Sequence, residues 1–153
     1  MSLLLLQSCS NSKREASESR PALELYSGYF YKIIKKAIRD GECRPDMDLK
    51  ILSAKYGLLE PDEQIEYYDY RMDKQRAEEL RPIVVDELQQ LILEREYERV
   101  VVNMGKEYRM AIRGFDDGLD IIPEYIGGEG IGYKGHVLKR FVRGDDTVLE
   151  VSG

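Results

Sequence analysis

Four times in this chain an apolar run ends in residues that can hydrogen-bond or carry charge. Leu3 to Gln7 gives way to Ser8, Cys9, Ser10, Asn11, Ser12 and Lys13, and Leu49 to Leu52 to Ser53, Ala54, Lys55, Tyr56 and Gly57. Val100 to Val102 gives way to Asn103, Met104, Gly105 and Lys106, and Leu119 to Ile122, after Pro123, to the glycine-rich stretch Gly127 to Gly132. Hydroxyls, an amide and ammonium groups are what an anionic or polyhydroxylated ligand would meet. Lys13 and Lys55 can serve as point charges for phosphate or carboxylate, or as bases if desolvated. The segment holding Gly130 and Gly132 either brings backbone amides to a phosphate at a helix start or is a plain linker. It does not have the dinucleotide-binding glycine spacing after a first strand, and the chain has no P-loop signature.

Other chemistry is sparser. Cys9 can be a nucleophile if a neighbouring charge lowers its pKa, or a small packed residue. One histidine, His136, and two cysteines, Cys9 and Cys43, cannot assemble a four-ligand Cys/His zinc site, so neither a metal nor a cofactor is expected. Seven of the eleven tyrosines lie between Tyr26 and Tyr70, which suits stacking on bases or sugars if several reach one cleft, and core or wall packing otherwise. Lys32, Lys35, Lys36 and Arg39, with Lys134, Lys139, Arg140 and Arg143, are either solvated faces or two halves of a basic surface.

The elements that must position these groups follow from periodicity. The continuous apolar run Leu3 to Gln7 and the short apolar runs Leu49 to Leu52, Val100 to Val102 and Leu119 to Ile122 read as strands, with Thr147 to Val151 a candidate edge strand. After Pro21, residues Leu23, Tyr26, Phe30, Ile33, Ile34, Ala37 and Ile38 predict one amphipathic helix ended by Asp40-Gly41. Lys74 to Glu96 predicts another, kinked or restarted at Pro82, and Glu107 to Ile112 and the stretch after Gly132 predict two more. Glu60 to Asp73 is polar, tyrosine-rich and aperiodic, as a lid or cleft wall would be. Strands alternating with helices predict a single α/β domain over residues 1–153, a mostly parallel sheet of four to five strands with helices on both faces, and a ligand cleft at the strand carboxyl ends.

Composition agrees with that plan. A chain of 153 residues, 42% hydrophobic, is long enough for one real core. Lys plus Arg number 23 against 29 Asp plus Glu, a net charge of -6, which argues against coating nucleic acid through bulk charge but not against a local basic patch. No apolar run approaches the ~20 residues of a membrane helix, and the two cysteines are no disulfide scaffold, so a soluble cytoplasmic protein is expected. Leu6-Gln7-Ser8-Cys9 is weakly similar to a lipoprotein cleavage site, without the basic leader and apolar stretch that such a site needs.

Leu52-Ser53-Ala54-Lys55-Tyr56-Gly57-Leu58-Leu59-Glu60-Pro61 resembles the Ser-Gly-x-Tyr-Gly-x-Leu-x-Pro signature of the peroxide-stress family YaaA. It is still more similar to small uncharacterised bacterial and archaeal domains with an Ile-Leu-Ser-Ala-Lys-Tyr-Gly-Leu core. Further similarities run in order at Ser8 to Lys13, Ala22 to Gly28, and Val101 to Asn103 with Glu107-Tyr108, whereas Tyr67-Tyr68 departs from the Pro-Tyr pair that is usual in the family. The resemblance spans Leu3 to Ile112, and the glycine-rich tail matches the small domains. It implies an α/β domain with a polar cleft and, for YaaA, DNA association and protection from oxidative damage. By matching position the cleft residues would be Ser8, Lys13, Tyr26, Ser53, Tyr56, Gly57, Asn103 and Tyr108, with Lys55 matching the small domains alone. The function expected is binding of a nucleotide, nucleobase or nucleic-acid segment, with Ser10, Asn11, Gly105, Gly130 and Gly132 also on the ligand edge. The alternative is an enzyme acting on a nucleobase or N-glycosidic bond, with a lysine or Glu107 as acid or base. The oligomeric state is not legible in the sequence.

Overall fold

The computed structural model describes residues 2–9, 13, 18–127 and 130–146, and the backbone of 150–151. In chain order the elements are β1 (Leu3–Ser8), β2 (Arg20–Pro21), α1 (Ala22–Leu25), α2 (Tyr29–Arg39), β3 (Met47–Ser53), β4 (Gly57–Leu59) and β5 (Gln64–Ile65), then α3 (Lys74–Arg95), β6 (Arg99–Asn103), α4 (Lys106–Ile112), β7 (Glu124–Tyr125), α5 (Gly130–Val142) and β8 (Glu150–Val151). The described strands form a sheet in the order β4-β3-β1-β6-β7-β8. Its centre, β3-β1-β6-β7, is parallel, and β4 and β8 pair antiparallel at the two edges. A separate small ribbon pairs β2 with β5 and ties the tyrosine-rich segment to the chain ahead of α1.

Alternation along β1 explains the two helical layers. Successive strand side chains point to opposite faces, so a run of four leucines must bury both. Leu4 and Leu6 enter the core shared with α3 and α4, together with Val100 and Val102, whereas Leu3 and Leu5 enter the core shared with α2 and α5, together with Val101. All four leucines are completely buried. Crossovers lying on opposite faces send β1 outward to β3 and, after α3, bring the chain back to β6 on the other side of β1. The strand order therefore reverses between β1 and β6, and in open parallel sheets the crevice beyond such a reversal is the usual ligand edge.

The α/β architecture with helices on both faces agrees with the expectation from periodicity, and three local readings change. The single helix expected after Pro21 is two, because Tyr26 leaves the helix to form an isolated antiparallel bridge with Lys13 and α2 restarts at Tyr29. Ile38, placed on the apolar stripe by spacing, is 48% exposed. The fourth strand lies after Pro123 rather than before it. Ile122 is exposed, while Glu124–Tyr125 pairs with β6 and Ile126 is fully buried. Proline has no amide to give a ladder, so the run that pairs begins beyond it. Pro82 stays inside an unbroken α3. It sits on the exposed side of that helix, where water can satisfy the carbonyl that loses its partner.

Removing a β1 side chain leaves a cavity in a layer that cannot close, because the strand is covered on both faces. Leu4→Ala is expected to lower the unfolding free energy by about 3 kcal/mol, and Ile38→Ala by no more than about 0.5 kcal/mol. Urea unfolding of both variants checks this, and equal losses would put Ile38 in the core after all.

Candidate functional site

At the carboxyl ends of β1 and β3, where the aliphatic core stops, the interior is filled by tyrosines. Tyr26, Tyr31 and Tyr68 pack with Cys9, Ile51, Leu59 and Ile65, and Tyr108 borders them from α4. Tyr26 and Tyr31 meet at ring centroids 5.1 Å apart, and the Tyr68 ring stands edge-on to Tyr26 at 6.4 Å and to Tyr56 at 5.4 Å. Each buried phenol carries a hydroxyl that needs a partner. Tyr31 donates to the Ser8 carbonyl at 2.7 Å. Cys9 Sγ and the Tyr108 hydroxyl lie 2.8 Å apart and bridge the loop after β1 to the helix after β6, across the strand reversal.

Ser53 organises the rest. Its Oγ accepts the backbone N–H groups of Lys55 and Tyr56, both at 3.1 Å, which folds the turn into β4. The same Oγ is 2.8 Å from the Tyr68 hydroxyl, and that hydroxyl is 2.6 Å from the Tyr26 hydroxyl. With both Ser53 lone pairs occupied, its proton goes to Tyr68. Three hydroxyls carry three protons and the two O···O contacts use two, so among the described residues one phenolic proton of the Tyr26–Tyr68 pair is left over. Gly57 closes the turn at φ +78°, a left-handed conformation that glycine adopts without strain. Arg76 holds the turn from α3, donating to the carbonyls of Ala54 at 2.7 Å and Lys55 at 2.9 Å.

Two ammonium groups flank this cluster. Lys13 Nζ is 4.5 Å from the centre of the Tyr68 ring, and Lys55 Nζ is 6.0 Å from the same ring and 5.2 Å from that of Tyr56. These are cation–π distances, with Lys55 and Tyr56 exposed. Burial pushes the hydroxyl pKa of Tyr26, Tyr31, Tyr68 and Tyr108 well above the ordinary phenol value, and charge on Cys9 would add to the effect. All four phenols are therefore proton carriers and hydrogen-bond donors throughout the neutral range.

The family model for a family of unknown function, DUF6884, matches residues 4–140, the span that holds every group just described. The chain belongs to DUF6884. No curated protein and no solved structure matches it.

In this DUF6884 domain the structure brings together Ser8, Lys13, Tyr26, Ser53, Lys55, Tyr56 and Tyr108 of the residues singled out by sequence. Others have different places. Asn103 is buried and gives an amide N–H to Gln7 Oε1 at 2.8 Å, linking register partners on β6 and β1. Gly57 is a turn former whose α-carbon faces Leu80 and Val84 of α3. Gly105 precedes α4 and lines a separate cavity. Gly130 and Gly132 are exposed on the first turn of α5, and Glu107 is exposed on α4. Ser10 and Asn11 lie outside the described residues. Sequence reasoning missed Tyr68, which lies in the aperiodic stretch Glu60 to Asp73, and Tyr31, which spacing alone assigned to no face.

Phenols held protonated by burial make stability fall in alkali. Each has a folded pKa above its unfolded value near 10, so the unfolded chain loses protons first and the stabilisation, complete below pH 10, is lost as pH rises toward the folded values. Unfolding free energy is expected to be flat in tyrosine terms from pH 7 to 9 and to fall above pH 10. Tyr68→Phe should make that fall shallower by about 1.4 kcal/mol per pH unit. Urea titrations between pH 8 and 11 measure it, and an unchanged slope would mean that Tyr68 ionises as freely folded as unfolded.

Proposed function

We propose that the domain binds a nucleotide, nucleobase or nucleic-acid segment at the carboxyl ends of β1 and β3, on the Tyr26–Tyr68–Ser53 network. The observation that carries this reading is the convergence on Tyr68 of two ammonium groups and a hydroxyl network with one proton to spare. A nucleotide offers the matching set: anionic oxygens for Lys13 and Lys55, a carbonyl or ring nitrogen for the phenolic proton, and a flat ring for an exposed aromatic face. Tyr56, 37% exposed and edge-on to Tyr68, is the ring placed to stack. Tyr67 and Tyr70, 41% and 46% exposed on the same segment, would extend a stacking surface along a strand. Similarity of the Ser53-to-Pro61 segment to YaaA points the same way, toward DNA.

Labelled single-stranded and duplex DNA, titrated at low and physiological salt with free nucleotides as competitors, test the reading. Binding should weaken with salt, and competing nucleotide should displace the strand. Lys55→Ala is expected to lower affinity and to reduce the salt slope by about 1, whereas Tyr56→Ala should cost about 1–3 kcal/mol with the slope unchanged. If both variants bind every such ligand as wild type does, the site lies elsewhere.

A further inference from the structure

A second concave site lies at the carboxyl end of β6 and β7, away from the tyrosines. Its volume is about 540 Å³, within the range of about 300–1,000 Å³ usual for small-molecule sites. Helix α4 separates the two places by its own geometry. At 100° per residue, Lys106, Arg109, Met110 and Arg113 form one stripe, whereas Tyr108, which meets Cys9, points the opposite way. The stripe faces Tyr125 at the end of β7 and Lys134 on α5. Buried Met104, Ile112 and Phe115 supply an apolar floor.

Positive charge also lines the groove of Lys32, Lys36, Lys139 and Arg143, but Arg143 there is paired with Asp40, whereas the guanidiniums of this cavity have no carboxylate partner among the described residues. Among the described residues the cavity wall holds Lys106, Arg109, Arg113 and Lys134 against a single acid, Asp116, a net charge of +3 in a chain whose own net charge is -6. Elsewhere on the surface, Arg44, Arg76, Arg95, Arg99, Arg140 and Arg143 are each matched to a carboxylate. Among the described residues none of the four cavity cations has such a partner. Arg109 is nevertheless held in place, its Nε donating to the Met104 carbonyl at 3.0 Å and its guanidinium lying 4.5 Å over the Tyr125 ring. Those contacts leave its terminal nitrogens for a ligand.

We infer that this cavity binds the diphosphate head of a small organic molecule. One carboxylate would leave most of the positive charge uncompensated. A diphosphate brings two to three negative charges and several acceptor oxygens, which suit guanidinium forks and point-charge ammoniums together. The apolar floor takes the organic part. The site is independent of the tyrosine cluster and does not require a base to bind there.

Calorimetric titration with inorganic pyrophosphate and inorganic phosphate tests it on the intact protein. Pyrophosphate should bind, and phosphate at least tenfold more weakly. The double variant Arg113→Ala/Lys134→Ala should weaken pyrophosphate binding tenfold or more, while Lys36→Ala/Lys139→Ala, the same charge change on a different face, should leave it within twofold. Lys134→Glu gives a second reading should the double variant fail to fold. Equal losses in the two double variants, inorganic phosphate binding as tightly as pyrophosphate, or no pyrophosphate binding to wild type would each overturn the assignment.

Discussion

Burial of β1 on both faces is the constraint from which the rest of the molecule follows. Four consecutive leucines cannot satisfy water on either side, so the strand has to lie inside the sheet with a helical layer above and below. Parallel neighbours on both sides then require crossovers on opposite faces, and the reversal of strand order beside β1 is the geometric result. The apolar run ends at Gln7, whose side chain is sealed by Asn103, and the next two residues enter the crevice that the reversal opens. The place where β1 stops being hydrophobic is thus the place where the fold has room for a ligand.

That crevice is lined with groups that are costly to bury. A phenolic hydroxyl taken out of water without a partner costs about 1–3 kcal/mol, so Tyr26, Tyr31, Tyr68 and Tyr108 persist there only because each is hydrogen-bonded. Phenylalanines would fill the same volume without that demand. The hydroxyls form a chain from the Ser53 turn through Tyr68 to Tyr26, and a second contact from Tyr108 to Cys9, so packing on this edge also fixes the positions of polar atoms. The Ser53 turn is braced twice, by its own side chain and by Arg76 from α3, which ties the exposed Lys55 and Tyr56 to the longest helix in the domain.

What the sequence shows and what it hides follow from the range of the interactions. Strands β1 and β6 are legible because continuous apolar runs report burial on both faces, β3 because Leu49, Ile51 and Leu52 form an apolar run interrupted only at Lys50, and α3 because Ala77, Leu80, Val84, Leu88 and Ile92 keep helical spacing over 22 residues. The break at Tyr26 is not, since Tyr26 fits the helical stripe and leaves it only to bridge with Lys13 and reach Tyr68, partners 13 and 42 positions away. The shift of the fourth strand beyond Pro123 turns on one missing amide, weighed against an apolar run that looks equally strand-like. Lys13, Ser53, Lys55 and Tyr56 could be read as site residues because they sit at strand ends. Tyr68 could not be reached by that route, because it lies in an aperiodic segment brought over the strand ends by the two-residue pairing of β5 with β2.

Electrostatics distinguishes the two ends of the ligand edge. Over β1 and β3 the positive charge is two ammoniums lying against aromatic rings, with protonated phenols beneath them, an environment suited to a planar, polar anion. Over β6 and β7 the charge is four cations around an apolar floor, two of them guanidiniums, an environment for concentrated negative charge. Tyr108 and Arg109, consecutive on one short helix and about 100° apart around its axis, belong one to each. A helix of seven residues thus suffices to divide the carboxyl edge of the sheet, because its two faces are both needed: one closes the tyrosine cluster through Cys9, and the other supplies the wall of the cationic cavity.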